Sequence, residues 1–137
     1  MSKPIKNFIL DVDGVLTTGQ FLYTIDGKFA KVFGPHDNDG IKLIIPHLNV
    51  FAISADKRGF LITKKRVADD MGLELKLVPE AERLSWLRQN FDLSESVYMG
   101  DGIHDAIIFD FVAYSIAPSS AFYTARAKAA FVTNAKA

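Results

Sequence analysis

The chain has 137 residues, a length that suits one well-cored domain and is too short for two of ordinary size. Sixteen basic and sixteen acidic residues cancel to zero net charge, which removes the electrostatic case for a nucleic-acid or membrane partner. Cysteine is absent, so disulfide and thiolate chemistry are excluded; no apolar run reaches transmembrane length, and Met1-Ser2-Lys3-Pro4 leads into a strand rather than a signal peptide, so a cytoplasmic protein is expected.

The first predicted element is a strand over 6–11, whose apolar run Phe8-Ile9-Leu10 stops at Asp11-Val12-Asp13-Gly14. Two carboxylates at one strand tip are costly unless a cation or a reaction uses them, although Asp-x-Asp-Gly also occurs as a solvated turn. The segment 21–33 then reads as a β-hairpin turning at Asp26-Gly27. Its large apolar residues need something to pack on, and a second subunit is the expected cover. A helix over 38–47 leads to a strand over 49–55 that ends at Ser54-Ala55. The Ser54 hydroxyl and the backbone amides that follow suit a phosphate oxygen, or simply a turn. A helix over 63–71 comes next, with Thr63 as N-cap and Gly72 as C-cap.

A strand over 73–78 and a helix over 81–91 lead to a strand over 96–100. This strand also ends in acid, at Gly100-Asp101-Gly102-Ile103-His104-Asp105. A helix starting after Gly102 places Asp105 in its first turn, facing the strand tips, where a helix-dipole role is the simpler alternative. A helix over 104–111, a strand over 113–117, a helix over 120–129 and a short strand over 130–133 complete the chain. Alternating strands and helices, with Ile, Val and Phe runs lacking period two, predict an α/β fold around a mainly parallel sheet. Asp11, Asp13, Asp101 and Asp105 are then positioned to converge on one Mg²⁺-sized set of oxygen ligands.

In this order the motifs resemble the haloacid dehalogenase superfamily of phosphotransferases over nearly the whole chain. Asp11–Thr17 carries the most specific element, Gly100–Asp105 a good one, and Ser54 a weak one. The resemblance implies a Rossmann-like, three-layer α/β/α domain over 1–137 with a projecting hairpin at about 20–34 and no cap domain. It implies Asp11 as a nucleophile that forms an aspartyl-phosphate, and Asp13 as general acid and then base. Mg²⁺ would be held by Asp11, the Asp13 carbonyl and Asp101, with Asp105 holding a metal-bound water. Gly14, Ser54, Ala55 and Lys57 are the expected phosphate neighbours. The family's basic residue falls at Arg83, with Lys57 and Lys76 as alternatives.

Within the superfamily the chain resembles the capless branch typified by 3-deoxy-D-manno-octulosonate 8-phosphate phosphatases and nonulosonate 9-phosphate phosphatases. The carriers are Asp11–Gly19, the hairpin, and Phe33-Gly-Pro-His-Asp-Asn-Asp-Gly-Ile-Lys42. That branch implies a homotetramer in which each active site is covered by a neighbouring subunit, and a small phosphorylated sugar acid as substrate. The chain departs from it in three places. Ser54-Ala55-Asp56 replaces the usual Thr-Gly-Arg, His36 replaces an expected Arg, and no glycine-rich tail follows Thr133. Arginine forks suit carboxylates and are not replaced by Asp or His without loss. A phosphatase for a different metabolite is therefore an alternative, with His36 and His104 as candidate substrate contacts. The other alternative is a non-catalytic oligomerisation module associated with nucleotide-sugar synthesis.

Overall fold

The computed structural model describes residues 3–137, so the reading of Met1-Ser2 lies outside the described residues. Six strands pair in parallel in the order β5 (Glu74–Leu77), β4 (Asn49–Ser54), β1 (Asn7–Asp11), β6 (Ser96–Met99), β7 (Tyr114–Ala117) and β8 (Phe131–Val132). β1 lies in the middle of the sheet with four of its five residues buried, and successive residues feed opposite faces. Ile9 joins the core that α3 (Arg83–Asn90), α4 (Ile103–Phe109) and α5 (Tyr123–Lys128) cover through Leu87, Ile108 and Ala125. Leu10 joins the core on the other face, where Ile41 of α1 (His36–Ile44) and Val67 pack. This is the expected three-layer α/β/α arrangement.

The chain runs from β1 outward to β4 and β5, then crosses back to β6 on the other side of β1. The order of connection therefore reverses between β1 and β6. Loops diverge at such a switch point and leave a crevice beyond the carboxyl ends of the strands. Asp11 ends β1 and Asp101 follows β6, so the two acidic strand tips flank that crevice.

The hairpin forms from β2 (Thr17–Thr24) and β3 (Gly27–Phe33) as a separate antiparallel ribbon. Its two-residue turn is Ile25-Asp26, one position earlier than predicted, and Gly27 opens β3 with φ of +115°. Opposite Leu22 and Tyr23 stand Ala30 and Lys28, so Phe29 is an extra residue and makes a bulge in β3.

Thr63 is not a helix N-cap. α2 (Phe60–Lys64) starts three residues earlier, from Gly59, and continues as π-helical turns over Lys65–Asp70. Thr63 is fully buried inside it, with its hydroxyl committed to Lys31 rather than to a helix end. Gly72 does close the segment, at φ of +72°. No helix among the described residues is long and apolar enough to cross a membrane.

Candidate active site

Asp11 is buried where β1 stops, and its Oδ1 accepts the Val12 amide at 2.8 Å. The next loop folds back tightly, with the Leu16 amide donating to the Val12 carbonyl at 2.8 Å. Gly14 takes φ of +82° in this turn, and a Cβ there would sit 1.7 Å from Asp101 Oδ2. Glycine is thus required twice over, for the backbone conformation and for the approach of the Asp101 carboxylate. Asp105 is the third residue of α4. Its Oδ2 accepts the amides of Asp101 (2.9 Å) and Gly102 (3.0 Å), so it caps the start of α4 as well as lying in the first turn, where the helix-dipole role was expected. The same carboxylate also faces the strand tips, and Oδ1 accepts from Tyr98 at 2.5 Å and from Arg83 at 3.0 Å.

Asp11, Asp101 and Asp105 each bring an oxygen within 4.8 Å of the others. Burial first, and then the charge of Asp105, push the Asp11 carboxyl well above the ordinary carboxylate range, with Arg83 pulling the other way. The same two causes push Asp101 up to about 6. Three hard oxygen donors with too little positive charge among them fit a divalent cation such as Mg²⁺. The Asp13 carboxylate is not part of this group and faces the hairpin instead.

Arg83 is the basic residue brought to the site. After Pro79 a 3₁₀ turn over Glu80–Glu82 delivers it as the first residue of α3, 3% exposed. Its Nη1 lies 3.3 Å from Asp11 Oδ2 and 3.0 Å from Asp105 Oδ1, and donates to the Tyr98 hydroxyl at 3.2 Å. Burial alone would lower the Arg83 pKa, but Asp11, Tyr98 and Asp105 outweigh it and hold the guanidinium charged. Lys57 and Lys76 are exposed and do not line the cleft.

Opposite stands a second ionic group that the sequence reading did not anticipate. Lys31 of β3 reaches Asp13 and Asp56, and Lys28 reaches Asp56 at 2.7 Å with its ammonium 3.5 Å from the centre of the Phe21 ring. Burial opposes the charge on Asp56, yet hydrogen bonds from Lys28 and Lys31 bring its carboxyl down to about 2. Together the two groups wall a cleft of about 600 Å³, with Ala55 at the end of β4 and His104, paired with Glu80 at 3.1 Å, on the rim. Ser54 is fully buried behind the cleft and accepts the Asp56 amide at 3.2 Å, the turn role weighed against phosphate contact. His36 sits on α1, away from the cleft.

No family model matches the chain. Over 111 residues it is 34% identical to the 3-deoxy-D-manno-octulosonate 8-phosphate phosphatase KdsC of Haemophilus influenzae, an alignment covering 77% of this chain and 60% of that protein. The chain thus spans less than two thirds of that curated relative. A probable YrbI family phosphatase from Pseudomonas syringae superposes with a TM-score of 0.82 at 30% identity, covering 98% of this chain and 78% of the other. The chain belongs to the YrbI-type family of the haloacid dehalogenase superfamily. A cobalt-bound YrbI from Haemophilus influenzae, a deoxy-D-mannose-octulosonate 8-phosphate phosphatase, matches with a TM-score of 0.80 at 28% identity, covering 96% of this chain and 79% of that one.

The acidic strand tips are exposed in the sequence as local motifs. Lys28, Lys31, Asp56 and Tyr98 were not legible in the same way. The one signal for the lysines was a pair of charges inside an otherwise apolar hairpin. Residues three apart on a regular strand point to opposite faces, and only the bulge at Phe29 turns Lys28 and Lys31 to the same side.

Proposed function

We propose that the protein is a Mg²⁺-dependent phosphomonoesterase that works through an aspartyl-phosphate on a small sugar-acid phosphate. The observation that carries this is the meeting of Asp11, Asp101 and Asp105 at the sheet's switch point, with charged Arg83 against the nucleophile and Asp13 across the same cleft.

A carboxylate oxygen of Asp11 attacks phosphorus while the bond to the leaving oxygen breaks. Asp13 gives its proton to that oxygen, so the sugar leaves as a neutral alcohol. Asp13, now a carboxylate, takes a proton from water as the water oxygen attacks the aspartyl-phosphate. The phosphorus–Asp11 bond breaks and inorganic phosphate is released. Arg83 screens the repulsion between the Asp11 carboxylate and the phosphate dianion, and Asp105 and Tyr98 keep the guanidinium aimed at the reacting centre. Asp11, Asp101 and the Asp13 carbonyl would hold Mg²⁺, which supplies further charge neutralisation at the phosphoryl oxygens. Gly14 admits the Asp101 carboxylate, and Ser54 shapes the loop that presents Ala55 to the phosphate.

The substrate class rests on the resemblance to the octulosonate and nonulosonate phosphate phosphatases, and the 600 Å³ cleft suits one small sugar phosphate. Asp56 favours a second reading, a phosphatase for a different metabolite. It stands where the branch has an arginine, and it is tied to two lysines rather than offering a fork to a substrate carboxylate. A non-catalytic assembly module has less support, since such a module has no use for buried clustered carboxylates. We place the enzyme in the cytoplasm. For its assembly we propose a homotetramer in which hairpins cover neighbouring sites, supported by Tyr23 and Phe29, each 56% exposed, and Ile25 at the fully exposed tip.

The test is phosphate release with Mg²⁺ from octulosonate 8-phosphate, nonulosonate 9-phosphate and other sugar phosphates, with and without chelator. Mg²⁺-dependent turnover of a sugar-acid phosphate is expected. Turnover only of a neutral sugar phosphate would support the second reading, and no turnover of any would overturn the enzyme reading.

A further inference from the structure

The side chain of Lys31 is 0% exposed although it belongs to a projecting hairpin. An ammonium cut off from water needs an acceptor for each of its three hydrogens, and lysine is rarely buried without them. Lys31 donates to Thr63 Oγ1 at 2.7 Å and to Asp13 Oδ2 at 3.1 Å, and its ammonium also lies 2.8 Å from Asp56 Oδ2 and 2.9 Å from Asp13 Oδ1. Thr63 holds it from α2 and Asp56 from the loop after β4, so two separate parts of the Rossmann-like body fix the ammonium. Lys28 adds a second cation on Asp56, at 2.7 Å.

Asp13 is thereby treated differently from Asp11, Asp101 and Asp105. Lys31 donates to Oδ2 of Asp13 and holds the side chain on the hairpin side of the cleft. We propose that Lys31 is a positioning residue for the reaction, holding Asp13 in the orientation from which it delivers a proton to the leaving oxygen. This rests on the phosphatase reading above and extends it by giving the hairpin a task inside the site of its own subunit.

A positioning role and a merely structural one differ in how they depend on the leaving group. An alkyl phosphate needs the proton from Asp13, whereas an activated aryl phosphate leaves as a stable phenolate without it. The comparison is kcat/KM, which reports the first chemical step, for a sugar phosphate against an aryl phosphate, in wild type, Lys31→Met and Thr63→Val. Thr63→Val keeps the shape and the lysine but removes one of its three anchors, and so serves even where Lys31→Met fails to fold. Lys31→Met is expected to lose about 10²-fold on the sugar phosphate and only a few-fold on the aryl phosphate, the scale of general acid catalysis. Thr63→Val is expected to lose several-fold in the same direction. A sugar-to-aryl ratio unchanged in the folded variants, with an active wild type, overturns the role of Lys31 alone. A wild type inactive on both substrates overturns the phosphatase reading and this inference with it.

Discussion

Gly14→Ala separates folding from function at this site. The added Cβ would lie 1.7 Å from Asp101 Oδ2 and 2.3 Å from its Cγ, whereas ordinary contact begins at 3.4 Å. The obstacle is a carboxylate at the end of a side chain, so the fold survives by letting Asp101 retreat more than an ångström. The backbone adds a second cost, because φ of +82° is strained for alanine by about 1–3 kcal/mol. At roughly 3–5 °C per kcal/mol for a domain of this size, the melting temperature should fall by about 3–15 °C. Metal ligation tolerates displacements of only about 0.2 Å, so Mg²⁺ affinity should fall by at least about 10–100-fold, with activity following. Gly27→Ala is the control: φ is +115° and a Cβ there meets no atom within 4 Å, so it bears backbone strain without touching the site. Thermal melts and Mg²⁺ titration calorimetry on both variants measure the two effects. Wild-type Mg²⁺ affinity in Gly14→Ala, or equal affinity losses in the two variants, would refute the placement of Asp101 against this turn.

Asp101, pushed up to about 6 by burial and then by Asp105, must shed a proton before it can bind a cation. Mg²⁺ affinity should therefore fall as pH drops below about 6, by up to tenfold per pH unit, and an affinity flat between pH 5 and 8 would count against this. A carboxyl whose folded pKa is raised stabilises the fold most below its unfolded value near 4 and loses that contribution as pH rises through about 6. In metal-free protein, Asp101→Asn should thus raise stability at pH 7.5 by about 1 kcal/mol after allowing for water access, and leave it unchanged near pH 4, as denaturant melts would show. The hairpin interface is tested by Tyr23→Ser with Phe29→Ser, two hairpin residues each 56% exposed. Light scattering should show the tetramer falling to smaller species, and an unchanged mass would contradict the interface.

Those features that a strand and its next few residues encode on their own were readable in the chain. Asp11 and Asp101 stop apolar runs, Asp105 follows Gly102 at helix-start spacing, and Gly72 ends its helix. Arg83 was harder, since its register depended on a 3₁₀ turn after Pro79 that periodicity does not reveal. The hairpin was legible as a hairpin, yet its function was not, because the contacts of Lys31 join β3, the Asp13 loop, the loop after β4 and α2. Thr63 shows the limit most clearly. Read locally it is a helix cap, and only the folded chain shows that a lysine thirty-two positions earlier takes its hydroxyl.

Covalent catalysis at Asp11 is tested by rapid-quench peptide mass spectrometry during turnover of a sugar phosphate. One phosphoryl group on the peptide carrying Asp11 in wild type, and none in a folded, inactive Asp11→Asn, is the result expected. Undiminished turnover in Asp11→Asn, or a phosphoryl group on another residue, would contradict the account.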